Sequence, residues 1–170
     1  MTVLYSISPL SEENAREITT WRYDPPFDLY DLSPQHLSGF KNPEYYYHQI
    51  LNEKGDLVGY CCYGLDAQVP GGVYLINLPE VLDIGVGMMP NLTGAGRGHE
   101  FVSAILNYAS ERFNPARFRV TVADFNHRSL RTFRKHGFKE SHYFIRELVE
   151  ISFTQLEKEI EEEKNENCRS

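Results

Sequence analysis

A mixed α/β domain, one sheet with helices against both faces, is predicted by three features of the sequence. Short runs of alternating or continuous apolar residues recur along the 170 residues and are separated by turn residues. Two stretches with helical spacing, 94–113 and 127–136, stand between the later runs. A composition 41% hydrophobic, with 11 Tyr and 10 Phe, supplies enough apolar material for one compact core. No repeat and no composition shift marks a second domain, so 1–157 reads as a single domain and 158–170 as an acidic, frayed tail.

The elements follow in order. Residues 2–7 alternate apolar and polar and read as a first strand. Ser11 is a suitable N-cap for a helix whose apolar face runs through Ala15, Ile18 and Trp21. The proline-bearing stretch 23–40 is irregular. Strands are expected at 45–52 and 57–63, joined across Glu53-Lys54-Gly55-Asp56, with Tyr45-Tyr46-Tyr47-His48 alternating on the first. Pro70-Gly71-Gly72 marks 68–79 as a loop. The apolar run 82–89 is the central strand, and the long helix 94–113 turns Phe101, Ile105, Leu106 and Ala109 inward. A strand at 117–123, a helix at 127–136 and a strand at 143–148 come next. Residues 151–156 complete the sheet as a short last strand.

Charge and cysteine usage narrow the function classes. The net charge of −7 argues against general nucleic-acid binding, which rests on neutralising phosphates. It suits a cationic partner. No run approaches the about 20 apolar residues of a membrane span, and the first residues lack the pattern of a signal peptide, so a cytoplasmic protein is expected. Cys61 and Cys62 are adjacent on a strand and point to opposite faces, while Cys168 lies in the tail; none has metal-ligand spacing. For the strand pair a buried core role outweighs that of a thiol nucleophile.

The most informative segment is 82–100. A strand ends at Met89-Pro90, a turn with glycine at 94, 96 and 98 follows, and a helix opens. Strand, glycine turn and helix in that order present backbone N–H groups to a diphosphate. Glycine permits φ > 0 there and keeps side chains out of the ligand's way. A P-loop would need Lys-Ser/Thr after its last glycine, but His99-Glu100 follow Gly98; a dinucleotide fingerprint needs G-x-G-x-x-G, and Gly94-Ala95-Gly96-Arg97-Gly98 is G-x-G-x-G.

This segment resembles the acetyl-coenzyme A loop of the GNAT superfamily of N-acetyltransferases, whose pattern is Gln/Arg-x-x-Gly-x-Gly/Ala. Gly96 and Gly98 fill the small-residue positions, and Thr93 stands where Gln or Arg is usual. A second element, Asn126-His-Arg-Ser129-Leu-Arg-Thr-Phe133-Arg-Lys135-His-Gly137-Phe138, resembles the family's Asn-x-x-Ala/Ser…Tyr-x-Lys-x-Gly-Phe segment.

The resemblance implies a central mixed, mostly antiparallel sheet flanked by helices, and acetyl-CoA as cofactor. Its diphosphate would meet backbone N–H groups of Thr93, Gly94, Ala95, Gly96, Arg97 and Gly98, helped by the helix dipole. Its pantetheine arm would pair with Val86 and Met88, about Gly87, where the central strand splays from its neighbour. Arg97 is either a phosphate contact or a surface charge. Asn126 is a cofactor contact, a helix N-cap, or both. Phe133 takes the place of the tyrosine that commonly protonates the leaving thiolate, and it has no proton to give. No metal is implied.

Acetyl transfer needs a neutral amine and therefore a base or a water relay. Asp83, on the central strand, is the candidate base, against the alternative of a strand-end residue; Glu80, Asp124 and His127 are weaker candidates. Trp21, Tyr23, Asp24, Asp28 and Tyr30 belong to an acidic, aromatic segment that reads equally as an acceptor-binding cage for a cation and as a proline-ordered loop. The expected activity is direct transfer of an acetyl group from acetyl-CoA to a small-molecule or peptide primary amine. The alternative is a non-catalytic acyl-CoA-binding or sensing module. Neither a nucleic acid nor a membrane is expected as partner, and a homodimer paired through the last strand is an open arrangement.

Overall fold

The structure is a computed structural model and describes residues 4–161. Thr2, Val3, Cys168 and most of the expected acidic tail lie outside them. The strands are β1 (Ser6–Pro9), β2 (His48–Leu51), β3 (Leu57–Tyr63), β4 (Val81–Met88), β5 (Arg117–Ala123), β6 (Lys139–Arg146) and β7 (Ile151–Glu159). They form one sheet in the order β1-β2-β3-β4-β5-β7-β6. Every neighbouring pair is antiparallel except β4 and β5. The helices are α1 (Glu12–Ile18), the single turn α2 (Leu37–Phe40), α3 (Gly98–Phe113) and α4 (His127–Lys135). The mixed, mostly antiparallel α/β architecture is the one expected.

Local chemistry explains most boundaries. The Ser11 side chain accepts from the Asn14 N–H and starts α1. Asn126 caps α4 through the Ser129 N–H. Asn114, at φ 45°, ends α3 in the left-handed conformation that stops helices. A parallel neighbour requires a crossover, and α3 supplies it between β4 and β5.

Phe101, Val102, Ile105, Leu106 and Ala109 of α3, with Leu130 and Phe133 of α4, bury against Leu82, Ile84, Phe118, Val120 and Val122. Across the sheet, Ala15, Ile18, Trp21, Phe40 and Leu57 form a second apolar cluster. Cys61 and Cys62 are buried, and burial pushes the Cys61 thiol up to about 12 and that of Cys62 higher still. Such thiols stay protonated, and both side chains pack in the core, the role their place on the strand suggested.

Three expectations are corrected. Tyr45, Tyr46 and Tyr47 are not strand residues. Asn42 accepts from the Glu44 N–H and opens a 3-10 turn at Pro43–Tyr45, and Tyr46 follows at φ 47°; this Asn-Pro turn delays β2 to His48. β6 begins at Lys139 rather than 143. β7 runs to Glu159 and lies between β5 and β6, so both its edges are taken and it cannot pair across a dimer. The outer strands are β1 and β6.

The feature that positions the site is the divergence of β4 from β5. The two pair only at Val81, Leu82 and Asp83, whereas β4 stays paired with β3 from Ile84 to Met88.

Candidate functional site

Strand geometry fixes which backbone groups face the divergence. The Met89 N–H donates to Val58 O and the Gly64 N–H to Asp83 O, so odd-numbered residues of β4 spend their backbone groups on β3. Those of Val86 and Met88 point the other way, toward the side where β5 has moved off. The two residues expected to pair with an extended ligand therefore present a free strand edge there. One group is occupied. The Tyr23 hydroxyl donates to Met88 O at 2.6 Å.

Beyond β4, Pro90–Leu92 make a 3-10 turn that the Thr93 hydroxyl tightens by donating to Pro90 O at 2.8 Å. Gly94 and Gly96 both sit at φ 76°, and Gly98 opens α3. Among the described residues, no N–H from Gly94 through Glu100 donates to a protein acceptor. A run of unspent donors at the positive end of a helix is a cradle for an anion.

A second cation, which the sequence did not single out, lies at this turn. Arg97 stands at the N-cap of α3, and its charge is felt by the Tyr5 hydroxyl. Arg128, in the first turn of α4, lies against the turn: a Cβ on Gly94 would stand 2.5 Å from its Nη1. Its guanidinium rests over the Phe27 ring, 4.9 Å from the centroid. Arg128 lies within the quoted motif, but only the packing of α4 on the turn reveals its place. His99 and His136 stack with ring centroids 4.2 Å apart and brace α3 against α4. Burial, the neighbouring His99 and Lys158 hold His136 below the ordinary histidine range.

Asn126 is the helix N-cap expected of it, and its amide reaches the Tyr30 hydroxyl at the end of β5. Its Oδ1 caps α4, and its Nδ2 donates to the Tyr30 hydroxyl at 3.4 Å. Phe133 does not reach the divergence. It is 2% exposed and packs edge-on against Phe138 in the core.

Asp83, the expected base, is spent elsewhere. Arg119 holds it with two hydrogen bonds of 2.6 Å, from Nε to Oδ1 and from Nη2 to Oδ2, and both side chains are buried. Gln68 adds a third bond to Oδ2 at 3.0 Å, and Asn77 accepts from Arg119 and from Gln68. The Tyr74 ring covers the guanidinium at 4.8 Å. A buried carboxylate paired in this way, with three hydrogen bonds already accepted, is poorly placed to take a proton from an amine. Asp83 instead ties the loop before β4 to the sheet.

The acidic, aromatic segment does not close into a cage. Trp21 is buried in the second apolar cluster. Tyr23 reaches Met88 of β4, while Tyr30 reaches Asn126 and the Ala123 backbone at the end of β5. Phe27 packs edge-on against Phe125. Asp24 and Asp28 face solvent, and Asp31 accepts from the Tyr23 N–H. The segment thus bridges the two diverging strands, and its tyrosines are pushed up in pKa by burial. Among the described residues no cluster of His, Cys, Asp or Glu could hold a metal ion, and no helix is long and apolar enough to cross a membrane.

Residues 6–139 match the family model of the acetyltransferase (GNAT) domain. No curated protein matches the chain. Among solved structures, a protein provisionally described as a phosphinothricin N-acetyltransferase is 14% identical with a TM-score of 0.71, over 94% of this chain and 100% of the other. An acetyltransferase of the GNAT family from Bacillus anthracis is 16% identical with a TM-score of 0.69, over 91% and 94%. A spermidine N-acetyltransferase chimera from Vibrio cholerae and hSSAT is 12% identical with a TM-score of 0.68, over 91% and 95%. At these identities the likeness is one of fold.

Proposed function

The chain belongs to the GNAT acetyltransferase family, and from that premise we propose that it transfers an acetyl group from acetyl-CoA to a primary amine within a ternary complex. The observation that carries this reading is a pair of backbone surfaces left open on consecutive segments: the edge of Val86 and Met88, on which Tyr23 takes only the Met88 carbonyl, and the free N–H groups from Gly94 through Glu100. An extended amide arm fits the first and a diphosphate fits the second.

In this reading the turn residues 94–98 hold the diphosphate through backbone donors, and Arg128 adds a positive charge beside Gly94. Val86 and Met88 align the arm as an added strand. Bound acetyl-CoA supplies the activated acyl group. The sheet holds that group at the divergence, where Asn126 and the Tyr23 and Tyr30 hydroxyls line both sides. Much of the rate then comes from positioning two reactants, a contribution that needs no strong base. With Asp83 committed to Arg119 and Phe133 in the core, proton transfer falls to water or to a group other than these two.

Calorimetric titration with acetyl-CoA, CoA and ADP tests the cofactor half. Micromolar binding of the first two is expected. Gly96→Val, which places a branched side chain at φ 76° and blocks backbone approach, is expected to weaken binding by about 100-fold or more. Equal affinity in the variant would overturn the assignment of the turn. Hydroxyl-free Phe133 also suits a non-catalytic acyl-CoA-binding module; thiol release on mixing acetyl-CoA with primary amines separates that reading from the enzyme.

A further inference from the structure

The face of β4 opposite α3 is bare at Gly85 and Gly87, and Tyr60 of β3 lies over the second glycine. A Cβ on Gly87 would overlap the Tyr60 ring and stand 2.8 Å from its hydroxyl oxygen, so only glycine lets the ring rest there. That hydroxyl lies over the strand segment between Val86 and Met88, and no hydrogen bond engages it among the described residues. Burial keeps it neutral, able both to donate and to accept.

A neighbouring ring, Tyr47, leads to a carboxylate with no cation. Asp66 follows Gly64 in the 3-10 turn Leu65–Ala67, which the chain enters directly from β3. It accepts from the Tyr47 hydroxyl and lies close enough to raise the pKa of Tyr60 by its charge. Among the described residues no Lys, Arg or His forms an ion pair with it. Asp83 points from the same strand face and has its charge answered by Arg119; the charge of Asp66 is left open. Three rings lie together on this side of the sheet: Tyr47, which donates to Asp66, and Trp21 have centroids 6.4 Å and 6.0 Å from that of Tyr60. An unanswered negative charge, aromatic faces and a free neutral hydroxyl are together the chemistry that recognises an alkylammonium group.

Resting on the acetyltransferase reading, we propose that Asp66, Tyr47, Tyr60 and Trp21 form the acceptor subsite and that the acceptor is a cationic amine. Asp66 answers its charge, the rings enclose its alkyl chain, and the Tyr60 hydroxyl orients the nitrogen toward the strand edge of Val86 and Met88. The segment expected to bind the acceptor contributes one wall, Trp21, and its aspartates take no part.

Calorimetric titration of the full chain with spermidine, putrescine and propylamine, with and without CoA, tests this. Binding of at least one amine is expected. Its Kd should rise 10-fold or more in Asp66→Asn, 3- to 10-fold in Tyr60→Phe, and stay within 2-fold in Glu111→Gln, a change on the far face. Wild-type affinity in both Asp66→Asn and Tyr60→Phe, or no binding of any of the three amines to the wild type, would overturn the proposal. Amine binding that survives while CoA fails to bind would overturn the cofactor reading and leave the subsite standing.

Discussion

The two halves of β4 follow opposite rules. From Val81 to Ile84 every residue is buried; β5 pairs with the first three, and the one charge, Asp83, is matched by Arg119. From Gly85 to Met88 every residue is half-buried, the partner on one side has left, and backbone groups and a nearby tyrosine hydroxyl stand unused. Polar groups out of water must be paired or they cost free energy. The first half obeys this and holds the fold together. The second leaves its groups open to a ligand, which is where function is to be sought.

The largest effect should come from breaking the closed half. Arg119→Met strands Asp83 in the interior and should cost about 3–5 kcal/mol, read as a lower urea midpoint. A loss under about 1 kcal/mol would mean that the loop 68–79 can open and let water reach Asp83. Adding a methyl to the open half should cost less. Gly87→Ala forces the Tyr60 ring aside and should destabilise by about 1–3 kcal/mol, while a subsite that uses Tyr60 loses amine affinity with it.

A smaller change sharpens the account of the strand edge. The Tyr23 hydroxyl holds the Met88 carbonyl that an extended cofactor arm would use. Tyr23→Phe releases it, and since a net hydrogen bond is worth about 0.5–1.5 kcal/mol, CoA affinity should tighten by about 2- to 12-fold in calorimetry. Weaker binding would instead make the hydroxyl part of the cofactor's own contacts.

Legibility tracked sequence distance. The caps Ser11 and Asn126, the span of β5 and the inward face of α3 rest on neighbours a few residues away, and each stands where the sequence places it. The glycine turn was readable for the same reason, since its conformation is set by residues within it. The strand expected at Tyr45–Tyr47 failed because an aromatic alternation outweighed the local Asn42-Pro43 turn. The pairing of Asp83 was not legible because Arg119 lies 36 residues away, nor was the bond of Tyr23, because Met88 lies 65 away.

The sequence by itself determined the order of elements, the glycine turn and the family, since these depend on backbone preference and short-range pattern. Only the tertiary structure decided which polar groups are spent. Whether Asp83, Asp66, Tyr23 or Tyr60 keeps a free donor or acceptor depends on what the sheet brings beside it. An unpaired polar group is a property of packing, and no local pattern encodes it.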